Sequence, residues 1–255
     1  MFAINPFAAL SGSIPPAVMQ GYVVLMAVLV AAGTLFDIVH KGSARYFFAN
    51  WRRTRGKAKA IDGGALVSIA ARTAVVDVLA SGEFCNARRR VAHLLTMYGF
   101  VLYVIATVVM VFSASTADIW PHLWWLGGLL VLVGGYWFWF FIRVDVAAEG
   151  SSPFRVVQAD LFVLSLLASV TLGLIWAYAQ ARASAGANVW FALYIIATTV
   201  LFGSVPWSKF AHMFFKPAAA FEKRVANANG TRANLPAPAA QPEQFGKTPK
   251  HAHHY

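Results

Sequence analysis

Charged side chains are missing from five long stretches of the chain. None of Asp, Glu, Lys or Arg occurs in Met1–Phe36, Val91–Ala117, Ile119–Ile142, Leu161–Ala181 or Ala183–Ser208. A membrane-crossing α-helix needs about 20 mostly apolar residues. The pattern therefore predicts an all-α integral membrane protein with five spanning helices, at about 17–39, 91–114, 120–142, 157–180 and 187–215. A polar turn around Arg182, Ser184 and Gly186 separates the last two. The third stretch carries Trp120, Trp124 and Trp125 near one end and Tyr136, Trp137 and Trp139 near the other. That is the arrangement expected of aromatic belts at two water–lipid interfaces.

Two segments do not read as spans. Residues 61–82 place Leu66, Ile69, Val76 and Leu79 at near-helical spacing, with Arg72 and Asp77 between. This predicts a short amphipathic helix, either on the cytoplasmic membrane surface or simply solvated. From about Asn227 the chain has Pro236, Pro238, Pro242 and Pro249 and few large apolar residues. Such a segment is expected to be disordered, or ordered only against a partner. The expected organisation is an external N-terminus over 1–16, a five-helix membrane domain over 17–226 and a Pro/Ala-rich cytoplasmic tail over 227–255. A basic loop, 41–90, follows the first span.

Composition agrees. Of 255 residues, 59% are hydrophobic and 12% charged, against about 25% charged in ordinary globular domains. Mean hydropathy is +0.60. A water-soluble globule is excluded. The net charge of +11 would point to nucleic acid in a soluble protein, but its placement here says otherwise. Eleven Lys/Arg lie in 41–90, Arg143 and Arg155 lie between the third and fourth spans, and seven more follow from Lys209. Only Arg182 falls on the opposite side, so 20 of 21 basic residues share one face. The positive-inside rule makes that face cytoplasmic, with the N-terminus outside and the C-terminus inside. The expected location is a bacterial inner membrane, multi-pass. No basic residue precedes the first run, which reads as a retained helix and not a cleaved signal. The single cysteine, Cys85, excludes a disulfide framework, a CxxC redox pair and an iron–sulfur cluster on this chain alone.

Ionisable residues within a membrane are costly and mark function by default. His93 lies just inside the second span, and His212 lies at the cytoplasmic end of the fifth. The two spans run in opposite directions, so both histidines are expected at similar depth. They are candidate axial ligands of the iron of one b-type haem, or two interfacial histidines bonded to headgroups or backbone. Asp37 and His40, three apart at the end of the first span, are candidates for a quinone and proton site, or for snorkelling at the interface. His122 reads as interfacial, and Asp160 as a helix N-terminal carboxylate. His251, His253 and His254 belong to the tail. The pairs Gly127-Gly128 and Gly134-Gly135 allow close helix packing or room for a flat cofactor. No phosphate loop, nucleophile triad or metalloprotease motif is present.

Five helices, N-out and C-in, with Arg88-Arg89-Arg90-Val91-Ala92-His93 opening the second and Pro206-Trp207-Ser208-Lys209-Phe210-Ala211-His212-Met213-Phe214-Phe215-Lys216-Pro217 closing the fifth, resemble the nitrate reductase gamma-subunit type of cytochrome b. That family includes membrane subunits of quinone-interacting complexes, and the resemblance covers about residues 17–217. Two-haem members carry further histidines where this chain has Tyr103 and Tyr194. The resemblance therefore implies at most one haem here, on the cytoplasmic side, and leaves Tyr103 and Tyr194 as candidates for the quinone site. Gly134-Gly135-Tyr136-Trp137-Phe138-Trp139-Phe140-Phe141-Ile142-Arg143-Val144-Asp145 and Ala233-Asn234-Leu235-Pro236-Ala237-Pro238 are most similar to the membrane anchors associated with adenylylsulfate (APS) reductase in sulfur-oxidising bacteria. That similarity implies a cytoplasmic flavin/iron–sulfur reductase as partner.

The expected function is a membrane anchor and electron-transfer subunit of an oxidoreductase complex, non-catalytic or quinone-reactive. It would link that enzyme to the quinone pool, on a face suited to anionic lipid. A haem-free docking platform is the alternative. A small transporter is disfavoured, because few polar residues lie at mid-membrane and no paired helix breaks occur.

Overall fold

The computed structural model describes residues 2–40, 49, 52, 59–82, 84, 86–113, 117–145, 150–207 and 212–231, with side chains of 212–215 outside that description. Every regular element among them is helical: α1 (Pro6–Leu10), α2 (Pro16–His40), α3 (Gly63–Arg72), α4 (Ala87–Phe112), α5 (Ile119–Trp137), α6 (Leu161–Ala181), α7 (Ala187–Gly203) and α8 (His212–Ala228). Two helices continue as wider π turns, α3 over Thr73–Leu79 and α5 over Phe138–Ile142. Four helices are long and apolar enough to cross a membrane, and α7 is a shorter apolar one. The protein is an all-α membrane bundle.

The chain divides into two compact units, residues 1–41 with 86–213, and residues 42–85 with 214–255. In the first, α5 lies between α4 and α6, and glycines on its two sides permit this. A Cβ at Gly134 would stand 2.6 Å from the Ala92 carbonyl, and one at Gly127 would stand 2.7 Å from the Tyr103 amide. On the other side, Gly128 and Gly135 press against Leu174 and Leu167 of α6. The small residues thus bring helices into near-backbone contact, and neighbouring helices fill the space that a flat cofactor would need.

The predicted fifth span, 187–215, is interrupted. α7 stops at Gly203, and a 3-10 turn spans Val205–Trp207. Pro206 has no N–H for the helical ladder, and its ring collides with the carbonyl four residues earlier. At 1.5 Å per residue α7 is about 25 Å long, against a hydrocarbon core of about 30 Å. α8 then runs past the expected tail boundary at Asn227 to Ala228. From residue 232 the expected disordered tail, with His251, His253 and His254, lies outside the described residues.

The belt residues divide as well. Trp124 is fully buried, donating Nε1–H to Thr107 Oγ1 at 2.9 Å. Trp139 is buried under the Arg143 guanidinium, 4.2 Å above its ring. The expected external N-terminus holds α1, capped by Asn5 Oδ1, which accepts from the Phe7 and Ala8 amides. The same Asn5 donates Nδ2–H to the Met110 carbonyl. Phe7 packs against Trp124 and Trp176.

In the second unit the expected helix is present. Asp62 caps α3 by accepting from the Gly64 amide. After the π turn, the Gly82 amide closes the segment on the Val76 carbonyl at 2.7 Å. Arg224 of α8 grips both oxygens of Asp77, at 2.7 and 2.9 Å.

Candidate functional site

The basic end of α4 is built by its cap. Asn86 Oδ1 accepts from the Arg88 and Arg89 amides, which fixes the helix start and places His93 two turns inside it. His93 is half-buried. Residues seven apart return to nearly the same helix face, so Phe100 continues the His93 face. The Phe100 ring lies 6.4 Å from Phe202 of α7. Ten residues after Phe202, beyond the Pro206 break, His212 opens α8. His93 and His212 thus lie one on each side of the Phe100–Phe202 pair in sequence. The His212 side chain lies outside the described part.

Asp37 and His40 do not share an environment. Asp37 is 4% exposed, on the face where Gly33, one turn earlier, meets Val205 and Pro206. His40 is exposed and stacks on Phe36 at 5.2 Å. Three residues advance a helix by 300°, and here the 60° shortfall separates a packed face from an open one.

Tyr103 and Tyr194 meet in the bundle core, both buried. Tyr103 stacks on Trp124 with centroids 4.8 Å apart, and Tyr194 stacks on Trp176 at 5.7 Å. Gly173 of α6 is wedged against both: a Cβ there would lie 2.5 Å from Tyr103 Oη and 3.0 Å from the Tyr194 ring. Tyr103 Oη and Trp176 Nε1 are fully buried with no hydrogen-bond partner among the described residues. Below them, Ser169 and Thr198 share a hydrogen bond at 2.7 Å. His93 and His212 supply imidazoles, a donor type able to hold one haem iron. At the tyrosines the packed rings leave no space even for a methyl group on Gly173.

One cluster escaped the reading of the residues. Arg143, 2% exposed, donates to the Ser152 and Arg155 carbonyls at 2.6 and 2.7 Å and to Asp160 Oδ2 at 2.6 Å. Asp160 Oδ2 also accepts from the Val157 amide. Asp160 is thus the anchor of a clamp on the α5–α6 connection, beyond a favourable charge at a helix start. The sole advance signal was an Arg set against the aromatic run 136–141 with an Asp at the next helix start. His122 is exposed and its Nδ1–H bonds the Asp118 carbonyl, a local contact. A cavity of about 220 Å³ lies where α1 meets α5 and α6, lined by Pro6, Trp125, Ala177 and Gln180 among others. Gln180 there donates to the Pro6 carbonyl. Among the described residues no group of three or more His, Cys, Asp or Glu is placed to hold a metal ion. Comparison of the chain with family models, curated proteins and solved structures returned no match.

Proposed function

We propose that this chain is the membrane anchor and electron-transfer subunit of an oxidoreductase complex, of the nitrate reductase gamma-subunit type, carrying one b-type haem between His93 and His212. The observation that carries the reading is the half-buried His93 on the α4 face that continues to Phe100, with His212 beginning a new helix after the Pro206 break. A bis-imidazole haem supplies reversible one-electron transfer. His93 and His212 would hold its iron, beside the Phe100–Phe202 ring pair of α4 and α7. The buried Asp37 carboxylate accepts protons from a quinol at the same end. The 20 Lys/Arg on one face, in the bacterial cytoplasm, attract an acidic flavin/iron–sulfur enzyme such as APS reductase, and steer its encounter.

The test is a reduced-minus-oxidised optical spectrum of the purified protein. The parent is expected to give a b-type signal that His93→Ala and His212→Ala abolish and Tyr103→Phe keeps. A parent without that signal fails the proposal and leaves the second reading, a haem-free docking platform. That platform requires that the partner enzyme still co-purifies.

A further inference from the structure

The helix over 63–79 has three faces, and the third has no role in the electron-transfer reading. Leu66, Ile69, Thr73 and Asp77 form the packed one: Thr73 is 4% exposed, and Asp77 is held by Arg224. Ser68 and Arg72 form a second, mixed one with Val76, which is 37% exposed. Val67, Ala71, Val75 and Leu79 form the third, apolar and open to the surroundings, with Val67 71% and Leu79 50% exposed.

The π turn keeps that third face straight. In an α-helix a residue every four positions drifts by about 40° per step. From Val67 to Leu79 the drift would total about 120° and carry Leu79 round to the Arg72 side. The π turn over Thr73–Leu79 takes about 4.4 residues per revolution, which reverses the drift. Val67, Ala71, Val75 and Leu79 therefore stay in one row, and the same change of pitch brings Asp77 into line with Thr73.

Charge identifies what covers the row. Residues 41–90 hold eleven Lys/Arg against Asp62, Asp77 and Glu83, and Asp77 is already paired. In the sequence, seven residues join Leu79 to Ala87, where a spanning helix begins, a tether of at most about 28 Å. An apolar row flanked by strong positive charge fits the headgroup–acyl boundary of an anionic leaflet. We propose that the 63–79 helix lies in the membrane surface, with Val67, Val75 and Leu79 among the acyl chains of anionic lipid. This holds with or without the haem.

The experiment uses the full chain with Cys85→Ser and nitroxide labels at Val67→Cys, Val75→Cys, Leu79→Cys or Ser68→Cys, each checked for an unchanged size-exclusion profile. The labelled proteins are placed in vesicles of mixed phosphatidylcholine and phosphatidylglycerol. The ratio of oxygen to nickel-chelate accessibility is expected to be several-fold higher at 67, 75 and 79 than at 68, and the contrast to shrink in vesicles of phosphatidylcholine alone. Equal, water-like accessibility at all four positions overturns the proposal. So does protection of 67, 75 and 79 from both reagents, which marks a protein partner or a second copy on that face. A contrast indifferent to phosphatidylglycerol overturns the assignment to anionic lipid.

Discussion

Replacing Arg143 by alanine removes three hydrogen bonds of 2.6–2.7 Å and a guanidinium stacked 4.2 Å from the Trp139 ring. Arg143 is 2% exposed and its partner Asp160 has a side chain 15% exposed. Removing one partner of such a pair costs about 3–5 kcal/mol, because the other charge stays buried alone. Asp160 keeps the Val157 amide and some solvent, which places the estimate near the lower end, at about 3 kcal/mol. For a chain of this size each kcal/mol moves the melting temperature by about 2–4 °C, so Arg143→Ala is expected to melt roughly 6–12 °C below the parent. The assay is thermal unfolding in detergent, followed by tryptophan fluorescence. Arg143→Lys should recover part of the loss, since one ammonium cannot span three divergent acceptors. In a cycle with Asp160→Ala the two losses should fall short of additivity by about 2 kcal/mol. A melting point within about 2 °C of the parent for Arg143→Ala would refute the clamp.

Gly134→Ala pushes a Cβ to 2.6 Å from the Ala92 carbonyl and Thr96 Oγ1. It should cost about 1–3 kcal/mol by overpacking, while Gly21→Ala, with nothing within 4 Å, should be neutral or stabilising by up to about 1 kcal/mol. Equal melting points for the two would remove the case for α4–α5 backbone contact. Tyr103→Phe deletes a buried hydroxyl that has no hydrogen-bond partner among the described residues, and should leave stability unchanged or raise it by about 1 kcal/mol; a clear fall in melting temperature would show the hydroxyl to be bonded. The Asp77 carboxylate holds the Arg224 guanidinium above its ordinary range by hydrogen bonding. A raised basic group contributes stability that is present below its unfolded pKa and lost only above it. Amide-exchange protection over 73–79, corrected for intrinsic rate, should therefore be constant from pH 7 to about 10, and its loss in that interval would contradict the pair.

The spans were legible in the sequence because a continuous apolar run of about 20 residues has few alternatives in a chain this hydrophobic. The fifth begins where expected, at Ala187, but its far end was placed too far along for the same reason. Apolar composition continues through Pro206, so hydropathy carries on where the backbone cannot. Trp124 and Trp139 looked like belt residues from their positions along the run, yet which side of a helix meets a neighbour depends on packing that hydropathy does not encode. The α5 glycines were readable as close-packing residues or cofactor space, and only their neighbours Ala92, Thr96 and Leu167 decide between these. Asp37 and His40 shared a predicted face at one turn's resolution, whereas burial distinguishes them at 60°. The Arg143 clamp reaches backbone carbonyls 9 and 12 residues away and a carboxylate 17 away, and the carbonyl acceptors carry no residue signature.

The stacked Tyr103–Trp124 and Tyr194–Trp176 pairs bear on energy conservation. Under the electron-transfer role proposed above, a core filled there by side chains would return charge entering from the quinone pool to the side where it arrived. An elementary charge that does cross works against about 2.3 kcal/mol per 100 mV of membrane potential. A one-sided path escapes that work and stores none of it. Turnover of the complex would then be indifferent to uncouplers, and the cell would gain its proton-motive force elsewhere in the respiratory chain.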